Sequence, residues 1–185
     1  MTIICALHKP GYGTVIGSDT HETYGCAALP LLEGKWVIGS HWAAGVCGNA
    51  KAFDLIEVNA RELLSPDITP YAFSSKYFAL LREDGWEPMK EQGDPIRFNV
   101  RIILASACEV YDIGGNGHVR REEWVANGSG DDLATGAAHV LRLQNASPET
   151  VVRTAVSTAI QFSTECGGEV WIQSLRRFSG ALAYC

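Results

Sequence analysis

Near its start the chain reads Thr2-Ile3-Ile4-Cys5-Ala6-Leu7-His8-Lys9-Pro10-Gly11-Tyr12-Gly13-Thr14-Val15-Ile16-Gly17-Ser18-Asp19. Two apolar runs, Thr2–Leu7 and Thr14–Ser18, flank a Lys9–Gly13 segment rich in proline and glycine, and the stretch reads as a β-hairpin. Thr2 then stands at the first residue of a buried strand, and Asp19 ends its partner. A second hairpin follows, Lys35–Ile38 and Trp42–Cys47 around Gly39-Ser40-His41, so that Lys35 opens the next strand.

Beyond these hairpins the periodicity turns helical. Phe53, Ile56, Ala60 and Leu63 recur at helical spacing and stop near Ser65-Pro66. Tyr71–Leu81 reads as a second helix with Phe73, Tyr77, Leu80 and Leu81 on its buried side, and Glu83–Pro95 as a loop. Strands resume at Asn99–Ser106, followed by Glu109–Ile113 and His118–Ala126 around the turn Gly114-Gly115-Asn116-Gly117. Two more helices are predicted, Leu133–Gln144 and Glu149–Thr164, the latter with Ser147 as N-cap and Pro148 at its first position. Glu169–Leu175 reads as a last strand. Helices paired between antiparallel hairpins predict two sheets packed face to face with helices outside, an α+β four-layer αββα sandwich. A doubly wound parallel sheet would alternate one strand with one helix.

Composition agrees with one domain spanning residues 1–185. The chain has 185 residues, 46% hydrophobic and 19% charged, a globular mixture that buries roughly 70% of its unfolded surface at this length. Its net charge of −6 offers no basic stripe for a phosphate backbone, so no nucleic-acid partner is expected. No apolar run reaches the roughly 18 residues of a membrane span, and the N-terminus lacks a signal-peptide core. Six cysteines are scattered singly without a C-x-x-C pair. The expectation is a cytoplasmic protein with reduced thiols, no membrane partner, no metal and no cofactor.

The chemistry begins at position 2. Aminopeptidases remove Met1 when a small residue such as Thr follows, leaving a hydroxyl and a free α-amine on one residue. That amine has an unperturbed pKa of about 7.7–8.0, so near pH 7 part of it is neutral and can act as base for the hydroxyl. A lysine beside the hydroxyl would lower its effective pKa, and an aspartate would keep that lysine charged and oriented. Lys35 and Asp19 stand at strand ends that would suit both tasks, but position alone reads them more simply as a solvated strand end and a turn residue.

The segments Thr2-Ile3-Ile4, Gly17-Ser18-Asp19, Thr23-Tyr24-Gly25 and Lys35, with Ala44 to Phe53 and Val125-Ala126-Asn127-Gly128-Ser129-Gly130, resemble the proteasome-type N-terminal-nucleophile hydrolases, and among them the bacterial HslV-like peptidases. The similarity runs through most of the chain in the family's order and is loose over Tyr71–Arg97. It implies a threonine peptidase with Thr2 as nucleophile and its α-amine as general base. Lys35 would tune the hydroxyl, Asp19 support Lys35, and Ser129 hydrogen-bond near the amine. Thr23 and Gly25 would bind the substrate backbone as an added strand, and a backbone N–H of Cys47 or Gly48 would serve the oxyanion. The resemblance also implies stacked homo-oligomeric rings, a peptide or unfolded-protein substrate, and a ring ATPase as possible partner. The alternative is a non-catalytic ring subunit that keeps Met1. Where the family often carries D-x-x-S-G, this chain has Ser163-Thr164-Glu165-Cys166-Gly167.

Other patterns point elsewhere and are weaker. Asp112 to Glu123 imitates an EF-hand loop, but Gly114 removes a ligand at its third position and the flanks alternate like strands. The histidines form no H-x-x-x-H pair, and His21 and His41 lie close in sequence to the candidate site. No G-x-S-x-G elbow, Walker or dinucleotide glycine pattern is present. Nothing near Cys47 in sequence activates it as a thiol nucleophile.

Overall fold

A computed structural model describes residues 2–24, 27–30, 34–89 and 97–176 of the chain. The opening hairpin forms as β1 (Ile3–Lys9) and β2 (Gly13–Asp19), in antiparallel register from Ile4↔Ser18 to Lys9↔Gly13. After a short hairpin, β3 (His21–Tyr24) and β4 (Ala27–Pro30), come β5 (Trp36–Ile38) and β6 (Ala43–Gly48). Helices α1 (Ala50–Val58), α2 (Ala60–Leu63) and α3 (Pro70–Glu83) precede β7 (Val100–Ala105), β8 (Val110–Ile113), β9 (Val119–Glu122) and β10 (Trp124–Gly128). The chain continues through α4 (Asp131–Leu143), α5 (Pro148–Phe162) and β11 (Val170–Leu175).

Two antiparallel sheets result, a four-stranded one in the order β10-β1-β2-β11 and a five-stranded one in the order β5-β6-β7-β8-β9. Strand alternation divides the side chains of β1 between two layers. Ile3, Cys5 and Leu7 face α4 and α5, meeting Ala134, Ala138, Val152 and Val156. Ile4 and Ala6 face the other sheet, meeting Cys47, Ile103 and Ala105. The far side of that sheet packs Val46, Ile102 and Leu104 on Ile56, Phe73 and Tyr77 of the first helix group. This is the αββα sandwich expected, and it buries β1 on both faces with Thr2 at its entry.

The structure corrects several details. The single strand expected over His118–Ala126 is two strands in different sheets. The chain crosses at Glu123, whose carbonyl accepts the His8 N–H at 2.8 Å, and alternation along a sequence carries no sign of such a change of sheet. The β3–β4 hairpin was not foreseen. The helix through Phe53–Leu63 breaks at Asn59, which ends α1 and leads into α2. Of the Glu83–Pro95 loop, Asp84–Pro88 is irregular and Met89 bridges to Arg97, while residues 90–96 lie outside the described set. Ser147 caps α5 as expected, accepting the Thr150 N–H at 3.2 Å.

Cys5, Cys47 and Cys166 are free, but Cys108 is disulfide-bonded, against the expectation of reduced thiols throughout. Folding brings distant segments within bonding range, and that geometry is not written in cysteine spacing. The EF-hand resemblance dissolves into a hairpin. Asp112 Oδ2 accepts from Arg120 at 2.7 Å and Arg101 at 3.1 Å, and Oδ1 accepts from Asn127 Nδ2 at 3.1 Å. Among the described residues no His, Cys, Asp and Glu cluster could hold a metal, and no helix is long and apolar enough to cross a membrane.

Candidate active site

Three strand ends converge at one edge of the sandwich. Thr2 precedes β1, Asp19 ends β2, and Lys35 immediately precedes β5 in the opposite sheet. Asp19 is fully buried and Lys35 is 9% exposed. The Lys35 ammonium donates to Thr2 Oγ1 at 2.5 Å, to Asp19 Oδ1 at 2.6 Å and to the His21 carbonyl, which uses its full complement of three donors. Thr2 Oγ1 in turn donates to Asp19 Oδ1 at 2.9 Å.

The remaining acceptor capacity of Asp19 is filled by backbone. Oδ1 takes the Ile3 N–H at 3.2 Å and Oδ2 the Gly167 N–H at 3.1 Å. A buried carboxylate is tolerated when paired and fully hydrogen-bonded in this way. Ser18 fixes the lysine from behind: its hydroxyl accepts the Lys35 N–H at 3.2 Å and donates to the Asp19 carbonyl at 2.8 Å.

Ser129 closes the other side, donating to the Thr2 carbonyl at 3.3 Å. Its hydroxyl also lies 3.9 Å from Cys166 Sγ. Gly128 is held at φ +119° with its α-carbon against the Thr2 carbonyl, where a β-carbon has no room, so the glycine before Ser129 lets β10 approach the N-terminus. The Cys166 thiol has its pKa raised by burial, against hydrogen bonds from Ser163 and Ser129.

Cys47 lies beneath this group. Its thiol donates to the Asn127 carbonyl at 3.0 Å, and burial pushes its pKa up to about 12 despite the nearby Lys35 charge. It is therefore no thiolate nucleophile near neutral pH.

The ladder separates the two candidate oxyanion donors. In an antiparallel sheet, successive residues turn their N–H groups to opposite neighbours. Gly39 donates to the Trp42 carbonyl at 2.8 Å, and Ser106 to the Glu109 carbonyl at 2.9 Å. Continued along the registers, both bonds aim the N–H of Cys47 at Arg101 of β7 and that of Gly48 toward the β5 side. There β5 has already ended at Trp36.

Thr2, Asp19, Lys35 and Ser129 are thus brought together, with Cys47 below and Gly48 at the adjoining strand end. Thr23 lies in β3, opposite Ala28, and Gly25 is outside the described residues. The sequence reading missed Ser18, the His21 carbonyl and the Gly167 N–H. For the last the signal was the Gly167-Gly168 pair just beyond a helix.

The fold itself has known counterparts. Many solved structures match this chain, and three show the likeness over almost its whole length. Two are of Thiobacillus denitrificans BPH, one of them in complex with epoxomicin. The complex is 19% identical and covers 95% of this chain and 100% of its own, with a TM-score of 0.76. The other is 21% identical, with 96% and 100% covered and the same TM-score. The third is eukaryotic HslV from Trypanosoma brucei, at 22% identity, 95% and 100% coverage and a TM-score of 0.69. No protein-family model and no curated protein sequence matches the chain. The fold is that of HslV and of bacterial proteasome-like proteins.

Proposed function

We propose that this chain is a proteasome-type threonine peptidase subunit, one domain over residues 1–185, with Thr2 as its nucleophile once Met1 is removed. One observation carries the reading: Thr2 Oγ1 stands 2.5 Å from Lys35 Nζ and 2.9 Å from Asp19 Oδ1 at the entry of a doubly buried strand. A threonine with only a structural role has no need of a buried lysine aimed at its hydroxyl.

The reaction follows from the groups in place. The freed α-amine takes the Thr2 hydroxyl proton as the oxygen attacks the scissile carbonyl. The Lys35 ammonium stabilises the developing charge on that oxygen, and Asp19 holds the ammonium in position. The Gly48 N–H, aimed to the β5 side, donates to the carbonyl oxygen as it becomes an oxyanion. The protonated α-amine then gives its proton to the departing amine, leaving an ester on Thr2. Water, deprotonated by the same α-amine, hydrolyses the ester and restores the hydroxyl. Ser129 holds the Thr2 main chain, and Thr23 and Gly25 offer backbone for the substrate to join as an added strand.

The substrate class is peptides or unfolded proteins, and the assembly a stacked homo-oligomeric ring that can work with a ring ATPase. Epoxomicin, bound in one of the BPH structures, is the probe. Incubated with purified protein and followed by peptide-map mass spectrometry, it is expected to modify Thr2 in the wild type and nothing in Lys35→Ala. Retained Met1 together with an unmodified Thr2 overturns the reading in favour of a non-catalytic ring subunit.

A further inference from the structure

The turn after α5 rests on the strand end that carries Asp19, residue against residue. Gly167 donates its N–H to Asp19 Oδ2 at 3.1 Å, and Glu169 donates to Thr20 Oγ1 at 2.8 Å. His21 completes the row. A β-carbon placed on Gly167 would stand 2.6 Å from His21 Nδ1 and 3.2 Å from its Cγ. The imidazole is therefore packed against the turn, with Nδ1 nearest. The same residue offers its carbonyl to Lys35 Nζ, and its backbone is fixed by pairing with Pro30.

We propose that His21 is a positioning residue: its ring backs the 166–168 turn so that the Gly167 N–H stays on Asp19, and it requires glycine at 167. The inference rests on the reading of Thr2, Lys35 and Asp19 as the reacting group. Gly168 has a positive φ, but Gly167 does not, so alanine at 167 meets no left-handed backbone penalty, and the atoms nearest its methyl are those of the ring. Rotation about χ2 moves Nδ1 but not Cγ, which at 3.2 Å still has to give by a few tenths of an ångström. Relief needs a change of χ1 or a retreat of the turn, and the retreat lifts the amide off Asp19. Asp19 then keeps Lys35 with one hydrogen bond fewer, and the ammonium loses its fixed place beside Thr2 Oγ1. His21 acts on the reaction through the turn and touches no reacting atom.

The test is a suppressor pair in the full-length protein, Gly167→Ala, His21→Ala and the double variant, read by amide hydrogen exchange at residue 167 and by peptide turnover. Gly167→Ala is expected to exchange at least tenfold faster at that amide and to lose at least tenfold in kcat, with KM within twofold. His21→Ala alone exchanges faster and loses kcat several-fold. In the double variant the methyl occupies the space the ring left, and both quantities return to within threefold of wild type. Wild-type protection in Gly167→Ala, or a double variant no better than Gly167→Ala, overturns the proposal. Because the exchange readout needs no catalysis, a wild-type protein without turnover but with this exchange pattern sinks the peptidase reading and leaves the positioning intact.

Discussion

Lys35 Nζ lies 2.5 Å from Thr2 Oγ1 across 33 residues of sequence and a boundary between two sheets. The contact is possible because β1 and β5 lie in facing sheets and both are entered at the same edge. Lysine is the residue for this place: a compact ammonium with three donors, here shared among a hydroxyl, a carboxylate and a carbonyl.

Replacing that ammonium tests both its roles. Lys35→Ala leaves the buried Asp19 carboxylate with neutral donors only, which should lower unfolding stability by about 3 kcal/mol. Turnover should fall by at least about 100-fold, the usual loss when a preorganised donor is removed. Urea titration and peptide hydrolysis measure the two, and a Lys35→Ala protein with wild-type turnover would exclude the residue from the chemistry.

Asp112 makes stability depend on acid. Burial alone would raise its pKa, but hydrogen bonds from Arg120 and Asn127 and the charge and hydrogen bond of Arg101 outweigh it, so the net shift is downward. A carboxyl lowered in the folded state stabilises above its unfolded pKa, and the contribution is lost as pH falls through the folded value. Asp112→Ala should cost about 1–3 kcal/mol at pH 7, since it strands the Asn127 amide and two partly exposed guanidinium groups. Denaturation curves should show that deficit shrinking as pH falls below about 4. A deficit that stays constant down to pH 2 contradicts the assignment.

Cys47 should be silent to alkylation. With its pKa near 12, roughly one thiol in ten thousand is ionised at pH 8. Iodoacetamide at that pH should leave Cys47 intact in the folded protein and modify it in urea, as read by peptide mapping. Rapid modification in the folded state would reopen Cys47 as a nucleophile.

Gly128→Ala should act on the N-terminus from the neighbouring strand. A left-handed φ and a β-carbon driven into the Thr2 carbonyl predict about 1–3 kcal/mol of destabilisation. The N-terminus should also be displaced, lowering kcat while KM changes little. Equal stability and equal kcat would show that the strand can shift without consequence.

Much of the sandwich and of the site was legible beforehand, for identifiable reasons. The Thr2–Asp19 hairpin announces itself by Pro-Gly turn chemistry between apolar runs, and the Ser147-Pro148 pair by capping. Thr2, Asp19 and Lys35 each stand at a strand end, but it was the family resemblance that grouped them. Other contacts left no such mark. Glu123 passes from one sheet to the other within an alternating run, and Asn59 breaks a helix whose apolar spacing continues past it. The Gly167 N–H and His21 carbonyl are backbone groups, and residue type says little about where a backbone group points. Cys108 shows no cysteine spacing that would name a partner. The directions of the Cys47 and Gly48 N–H groups depend on the hydrogen-bond phase of two ladders, which exists only once the strands are in register.

The central claim is that Thr2 becomes the N-terminal residue and attacks peptide carbonyls. Its most direct test is the intact mass of the purified protein taken together with fluorogenic-peptide hydrolysis by the wild type and Thr2→Ala. The expected result is a mass short by one methionine and a turnover that vanishes in Thr2→Ala. A protein that keeps Met1, or a hydrolysis that survives Thr2→Ala, contradicts the account.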